Sequence, residues 1–125
     1  MDVTPLVSDE CQVVEAYGNG GFRVNGKFHL GSVIIHADRC LSWHVDEIDN
    51  FTLNSLSFIL ESSDIPEILL VGCGTGSVYF PGQLRTEIRA RGIVVDSMNT
   101  GAACRTYNVL MTEGRRVAAA LIAVD

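Results

Sequence analysis

Four consecutive apolar residues, Ile68 to Val71, run directly into the glycines Gly72, Gly74 and Gly76. A strand with no polar alternation is one buried on both faces, and that kind of burial calls for helices above and below a sheet. The glycines let the backbone turn tightly or approach another group closely. This one stretch therefore argues for an α/β fold and marks the carboxyl end of a strand, where such folds commonly hold ligands.

The rest of the second half agrees. Leu53, Leu56, Ile59 and Leu60 recur at steps of three and four, which predicts a helix over residues 52–61, capped by Asn50 or Thr52 and stopped before Pro66. Further helices are expected over residues 81–91 and from Asn99 or Thr100 to Glu113, each followed by a glycine, Gly92 and Gly114. Apolar strands over 93–95 and 117–124 separate and close this series. Alternating helices and strands imply a sheet with helices packed on it and largely parallel strands. In the last helix Ala103, Tyr107 and Leu110 fall on one face, and Arg105, Asn108 and Thr112 on a polar one.

The first half is β-rich. After an irregular lead-in over residues 1–11, short strands are interrupted by Gly18-Asn19-Gly20-Gly21 and by Asn25-Gly26, both signals for hairpin turns. Residues 32–37 and 40–45 form two more strands, and in the second Leu41, Trp43 and Val45 alternate with Ser42 and His44. No repeat or linker interrupts the 125 residues, so one domain is expected over 1–125.

Composition narrows the function. Net charge is −6, which disfavours a nucleic-acid backbone as partner. There is no basic or apolar leader at the start and no run approaching the roughly 18 apolar residues of a membrane span. A soluble, cytoplasmic protein follows as the expectation. Cys11, Cys40, Cys73 and Cys104 form no Cys-x-x-Cys pair, so free thiols rather than structural zinc are expected. His36 and His44 flank Cys40 on neighbouring strands, but hairpin spacing alone does not make a metal site. The single lysine, Lys27, lies outside any phosphate-binding loop, and Ser77 does not sit in a Gly-x-Ser-x-Gly elbow.

Two segments are candidates for a site. The turn Gly72 to Gly76 follows a buried strand, and Asp96 comes twenty residues after Gly76 at the end of the next one, a spacing suited to ribose hydroxyls. Locally, LLVGCGTG resembles the first motif of S-adenosylmethionine-dependent methyltransferases, although here the helix is delayed by Val78, Tyr79 and Phe80. The second segment begins at Asp96 and runs through the last helix. If both turns open at one sheet edge, Gly74, Thr75, Gly76, Asp96, Ser97, Asn99, Thr100 and Arg105 line one polar cleft. The competing reading makes the glycines a tight turn and the helix an amphipathic one with a solvated face.

A longer resemblance bears on that choice. Pro66-Glu67, Gly74-Thr75-Gly76, Gly92-Ile93 and above all MNTGAACRTYNVLMTEGRRVAAALI, from Met98 to Ile122, resemble a family of small proteins long classed as a domain of unknown function. That family includes assembly factor 3 of mitochondrial respiratory complex I and an adipogenesis-associated relative. The resemblance runs from about Val33 onward. It implies a three-layer α/β fold with a central mixed five-stranded sheet whose last strand is antiparallel to the others, and the N-terminal hairpins are extra to it. It also implies a non-catalytic interaction or assembly protein with an unidentified protein partner, and it offers no catalytic residue to carry over. No cofactor is expected, and because small domains often pair, a homodimer is a further expectation. A ligand-binding protein or enzyme of the S-adenosylmethionine or nucleotide type, using Gly72 to Gly76, is the alternative.

Overall fold

The computed structural model describes residues 11–75 and 80–125. Nearly all of the expected lead-in, together with Gly76, Ser77, Val78 and Tyr79, lies outside the described residues.

The chain opens with an antiparallel meander of β1 (Val14–Gly18), β2 (Gly21–Val24) and β3 (Lys27–Leu30). Both of its turns have two residues at positive φ, Asn19 (55°) with Gly20 (80°) and Asn25 (48°) with Gly26 (81°). Such paired left-handed residues match the twist of the flanking strands, which is why Asn-Gly is so strong a hairpin signal. Asn25 does a second job, because its side chain accepts from Val13 N–H at 2.8 Å and donates to the Cys11 carbonyl at 2.8 Å.

A five-stranded sheet follows, with spatial order β5-β4-β8-β6-β7. Its strands are β4 (Val33–His36), β5 (Arg39–Ser42), β6 (Ile68–Gly72), β7 (Val94–Met98) and β8 (Val117–Leu121). The sheet is mixed, as expected, but the reversed strand is not the last one. β8 runs parallel to β6, β6 parallel to β7, and β4 antiparallel to both β5 and β8. The reversed strand is thus β4. The reason is connectivity: a helix joins β6 to β7 and another joins β7 to β8, and each crossover brings the chain back to the starting end of the sheet.

Those helices are α2 (Gly82–Arg89) and α3 (Thr100–Thr112). The expected three-turn helix over 52–61 is instead a 3-10 turn, Leu53–Leu56, running into one α-helical turn, α1 (Ser57–Leu60). A reciprocal cap tightens its start. The Thr52 hydroxyl accepts from Ser55 N–H at 3.2 Å, and the Ser55 hydroxyl accepts from Thr52 N–H at 3.4 Å. The apolar stripe nonetheless turns inward, with Leu56 and Ile59 fully buried.

The sheet separates two cores. Leu69 and Val71 of β6 and Ala118 and Ala120 of β8 face Trp43, Phe51, Leu56, Ile59 and Ile88. Leu70, Ala119 and Leu121 face the other way, onto Ala103, Cys104 and Tyr107 of α3 and onto Phe22 and Val24 of the meander. Successive side chains thus enter different cores, which accounts for the uninterrupted apolar runs. Asn108, expected on a solvated face, instead clamps the meander to α3. It accepts from Val14 N–H at 3.0 Å and donates to the Val14 carbonyl at 2.8 Å. A side-chain amide presents an acceptor and a donor just as a strand residue does, so it can pair with a strand's backbone.

Candidate functional site

The glycine turn and the start of α3 do meet, by direct hydrogen bonding. Thr100 is fully buried. Its hydroxyl accepts from Gly74 N–H at 2.9 Å and donates to the Ile122 carbonyl at 2.7 Å, while its own N–H donates to the Gly74 carbonyl at 2.9 Å. Cys73 N–H donates to the Met98 carbonyl at 2.8 Å and Ile122 N–H to Gly72 at 2.9 Å. The ends of β6 and β8 are thereby joined through the Thr100 side chain, and the end of β7 is tied to β6 by a backbone hydrogen bond. Gly72 is needed for contact: a methyl group there would lie 3.1 Å from both Thr100 Cα and Leu121 Cδ2. Gly74 carries a positive φ of 95°, which glycine adopts without strain.

The remaining candidates are distributed around this knot. Asn99 caps α3 by accepting from Ala102 N–H at 2.8 Å. Ser97 faces the α2 side, where Arg85 donates to its hydroxyl at 3.1 Å and to the Val95 carbonyl at 2.6 Å, with the guanidinium 5.3 Å above the Phe80 ring. Asp96 is exposed, as is Thr75. Arg105 is also exposed, and its guanidinium reaches the Tyr17 hydroxyl of β1 at 3.4 Å. A cavity of about 650 Å³ opens beside the turn, lined by Cys73, Gly74 and Thr75 together with Asp46, Glu47 and Asp49. Its acidic wall repels phosphate. Gly74, Asn99 and Thr100 are therefore brought together, whereas Asp96, Ser97 and Arg105 project from three different places. Sequence reasoning missed Arg85, because helical periodicity only places it off the apolar stripe and does not show how far its arm reaches.

The histidines and cysteines are dispersed. His36 is buried at the end of β4, while His44 is exposed beyond β5. Among the described residues no group of three or more His, Cys, Asp or Glu is placed to hold a metal ion. Cys40, Cys73 and Cys104 are free thiols. Burial pushes the Cys40 thiol up to about 11 and that of Cys104 up to about 12, from an ordinary 9.0, and raises Cys73 as well. The thiolate is the reactive form, so at pH 8 Cys40 should alkylate about 100-fold and Cys104 about 1000-fold more slowly than a free thiol, and all four cysteines should react alike in urea. Native labelling of Cys104 at the free-thiol rate would contradict this packing. Because both values are raised in the folded state, their contribution to stability is intact below pH 9 and declines as pH rises through 11 and 12.

These features define a three-layer α/β domain with a mixed sheet, whose glycine turn is tied into its own core. The chain belongs to a family described as a protein of unknown function (DUF498/DUF598), which it matches over residues 14–122. It is 35% identical over 109 residues to an uncharacterized protein of Rhodobacter capsulatus, covering 87% of this chain and 82% of that one. It is 34% identical over 122 residues to NADH dehydrogenase [ubiquinone] 1 alpha subcomplex assembly factor 3 of Xenopus tropicalis, covering 96% of this chain and 67% of the relative. The human protein of the same name has 61% of its length covered. Among solved structures, a Bartonella henselae protein described as an outer membrane protein superposes with a TM-score of 0.84 at 40% identity, over 91% of this chain and 96% of that one. Among the described residues no helix is long and apolar enough to cross a membrane.

Proposed function

We propose that this chain is a non-catalytic interaction protein that acts as an assembly factor, holding an incompletely built protein complex through its surface. The observation that carries the reading is its similarity, over 96% of its length, to a protein named as an assembly factor. The chemistry at the glycine turn is consistent with it, because the polar groups of Gly74, Asn99 and Thr100 are occupied in bonding one another and the backbone. A cytoplasmic location fits the free thiols of Cys40, Cys73 and Cys104. The meander supplies a surface for the partner: on one face of β3, at the free edge, Phe28 is 44% exposed and Leu30 is 75% exposed. Clustered large apolar groups on a surface mark contact sites.

Crosslinking and affinity capture from the native host should return a defined protein partner with the whole chain, and Leu30→Glu should reduce its recovery about tenfold with the fold unchanged by circular dichroism. Recovery of nothing but the chain itself would overturn the assembly reading and, with a doubled mass in light scattering, indicate a homodimer instead.

A further inference from the structure

The end of the sheet opposite the glycine turn holds features that neither the fold nor an assembly role uses. Because β4 runs against β8, His36 falls beside the first residues of β8. The side chain is 5% exposed. Its Nε2 lies 3.2 Å from the Ser62 hydroxyl, and its Nδ1 is closed off from solvent with no hydrogen-bond partner among the described residues. The next residue, Ala37, is left-handed at φ 56°, where a Cβ is disfavoured. Unsatisfied buried polar atoms and strained backbone gather at sites more often than in ordinary packing.

A cavity of about 400 Å³ lies against this corner, a size usual for small-molecule sites. Tyr107 and Met111 form an apolar part of its wall; Arg115, Arg116, Asp38 and Asp64 bring charge of both signs to it. These charges do not meet across the cavity. Among the described residues the one ion pair is Arg115 to Glu67 at 3.4 Å. Arg116 reaches the Ile65 carbonyl at 3.3 Å, and among the described residues the carboxylates of Asp38 and Asp64 take part in no ion pair. Opposite charges that share a cavity and leave a gap between them suit a ligand carrying both complements.

We propose that this cavity binds a small zwitterion of the amino-acid or dipeptide class. Its carboxylate faces Arg115 and Arg116, its ammonium faces Asp38 and Asp64, and an apolar side chain rests on Tyr107 and Met111. Guanidinium forks suit a carboxylate, and a desolvated apolar wall selects the side chain. No residue of β1, β2 or β3 lines the cavity, so the proposal stands or falls independently of the assembly reading.

Calorimetry on the whole protein with leucine, methionine and leucyl-leucine tests the proposal, with leucinamide, N-acetyl-leucine and butyrate as single-charge controls. Saturable binding of at least one zwitterion is expected, and binding of the controls about tenfold weaker or more. Arg116→Gln, at an exposed position, should erase the preference for acid over amide. Asp64→Asn, also exposed, should erase the preference for free over acetylated ammonium. Purely structural roles would not split the ligand's two charges in this way. Absence of binding by every zwitterion at millimolar concentration overturns the proposal, as does equal binding of butyrate or of the amide.

Discussion

Replacing Trp43 with alanine is expected to destabilise the protein by about 4 kcal/mol, enough to lower its Tm by roughly 15 °C. Trp43 is the single tryptophan and is 6% exposed. Its indole N–H donates to the Ser55 carbonyl at 2.9 Å. Its ring meets Phe51 edge-on at 5.4 Å, and Phe51 meets Phe80 edge-on at 5.1 Å, so one side chain anchors an aromatic chain over the sheet. Truncation removes the largest body in that core and leaves a buried carbonyl unpaired. Trp43→Phe restores much of the volume without the donor and should cost about half as much. Urea unfolding followed by circular dichroism separates the two. A loss below about 1 kcal/mol for the alanine variant would show that the site collapses around the gap and that the ring is not an anchor.

Thr100→Val should cost about 3 kcal/mol although it is nearly isosteric. The hydroxyl serves Gly74 N–H and the Ile122 carbonyl, and valine leaves both without that partner in a buried place. Thr100→Ser keeps both bonds and gives up only a methyl group, so a loss of about 1 kcal/mol is expected. The serine-to-valine difference is the decisive measurement. If the two variants unfold at the same urea concentration, the hydroxyl does not tie the ends of β6 and β8 together.

These two positions show what was legible in the sequence and what was not. The strand Ile68–Gly72, the α3 boundaries at Asn99 and Gly114, and the paired left-handed turns at Asn19 and Asn25 follow from local rules, because periodicity, caps and glycines act over a few residues. The central mixed sheet was legible through the resemblance, except for the direction of its last strand, which depends on where two crossovers return the chain. The glycine turn is harder. Gly72, Gly74 and Gly76 announce a backbone that something approaches closely. At Gly74 that neighbour is Thr100, 26 residues away, and no pattern within the turn says so. Arg85 and Asn108 were likewise opaque, since their partners on β7 and β1 are set by tertiary packing. His36 was visible only as a histidine beside a hairpin. Its burial emerges once β4 is seen next to β8.

That placement of β8 has a consequence for how the protein comes into being. The strand made last of the five fills the middle of the sheet, with β4 on one side and β6 on the other. Until residues 117–121 emerge from the ribosome, the hairpin β4–β5 and the unit β6–α2–β7 have no common neighbour, and each presents an unsatisfied backbone edge. Closing the sheet joins residues more than eighty positions apart, such as Ile35 and Ala119. A topology with such high contact order folds slowly and late, so the nascent chain passes through a stage at which Ile34, Leu69 and Val71 are complete in sequence but still unsheltered.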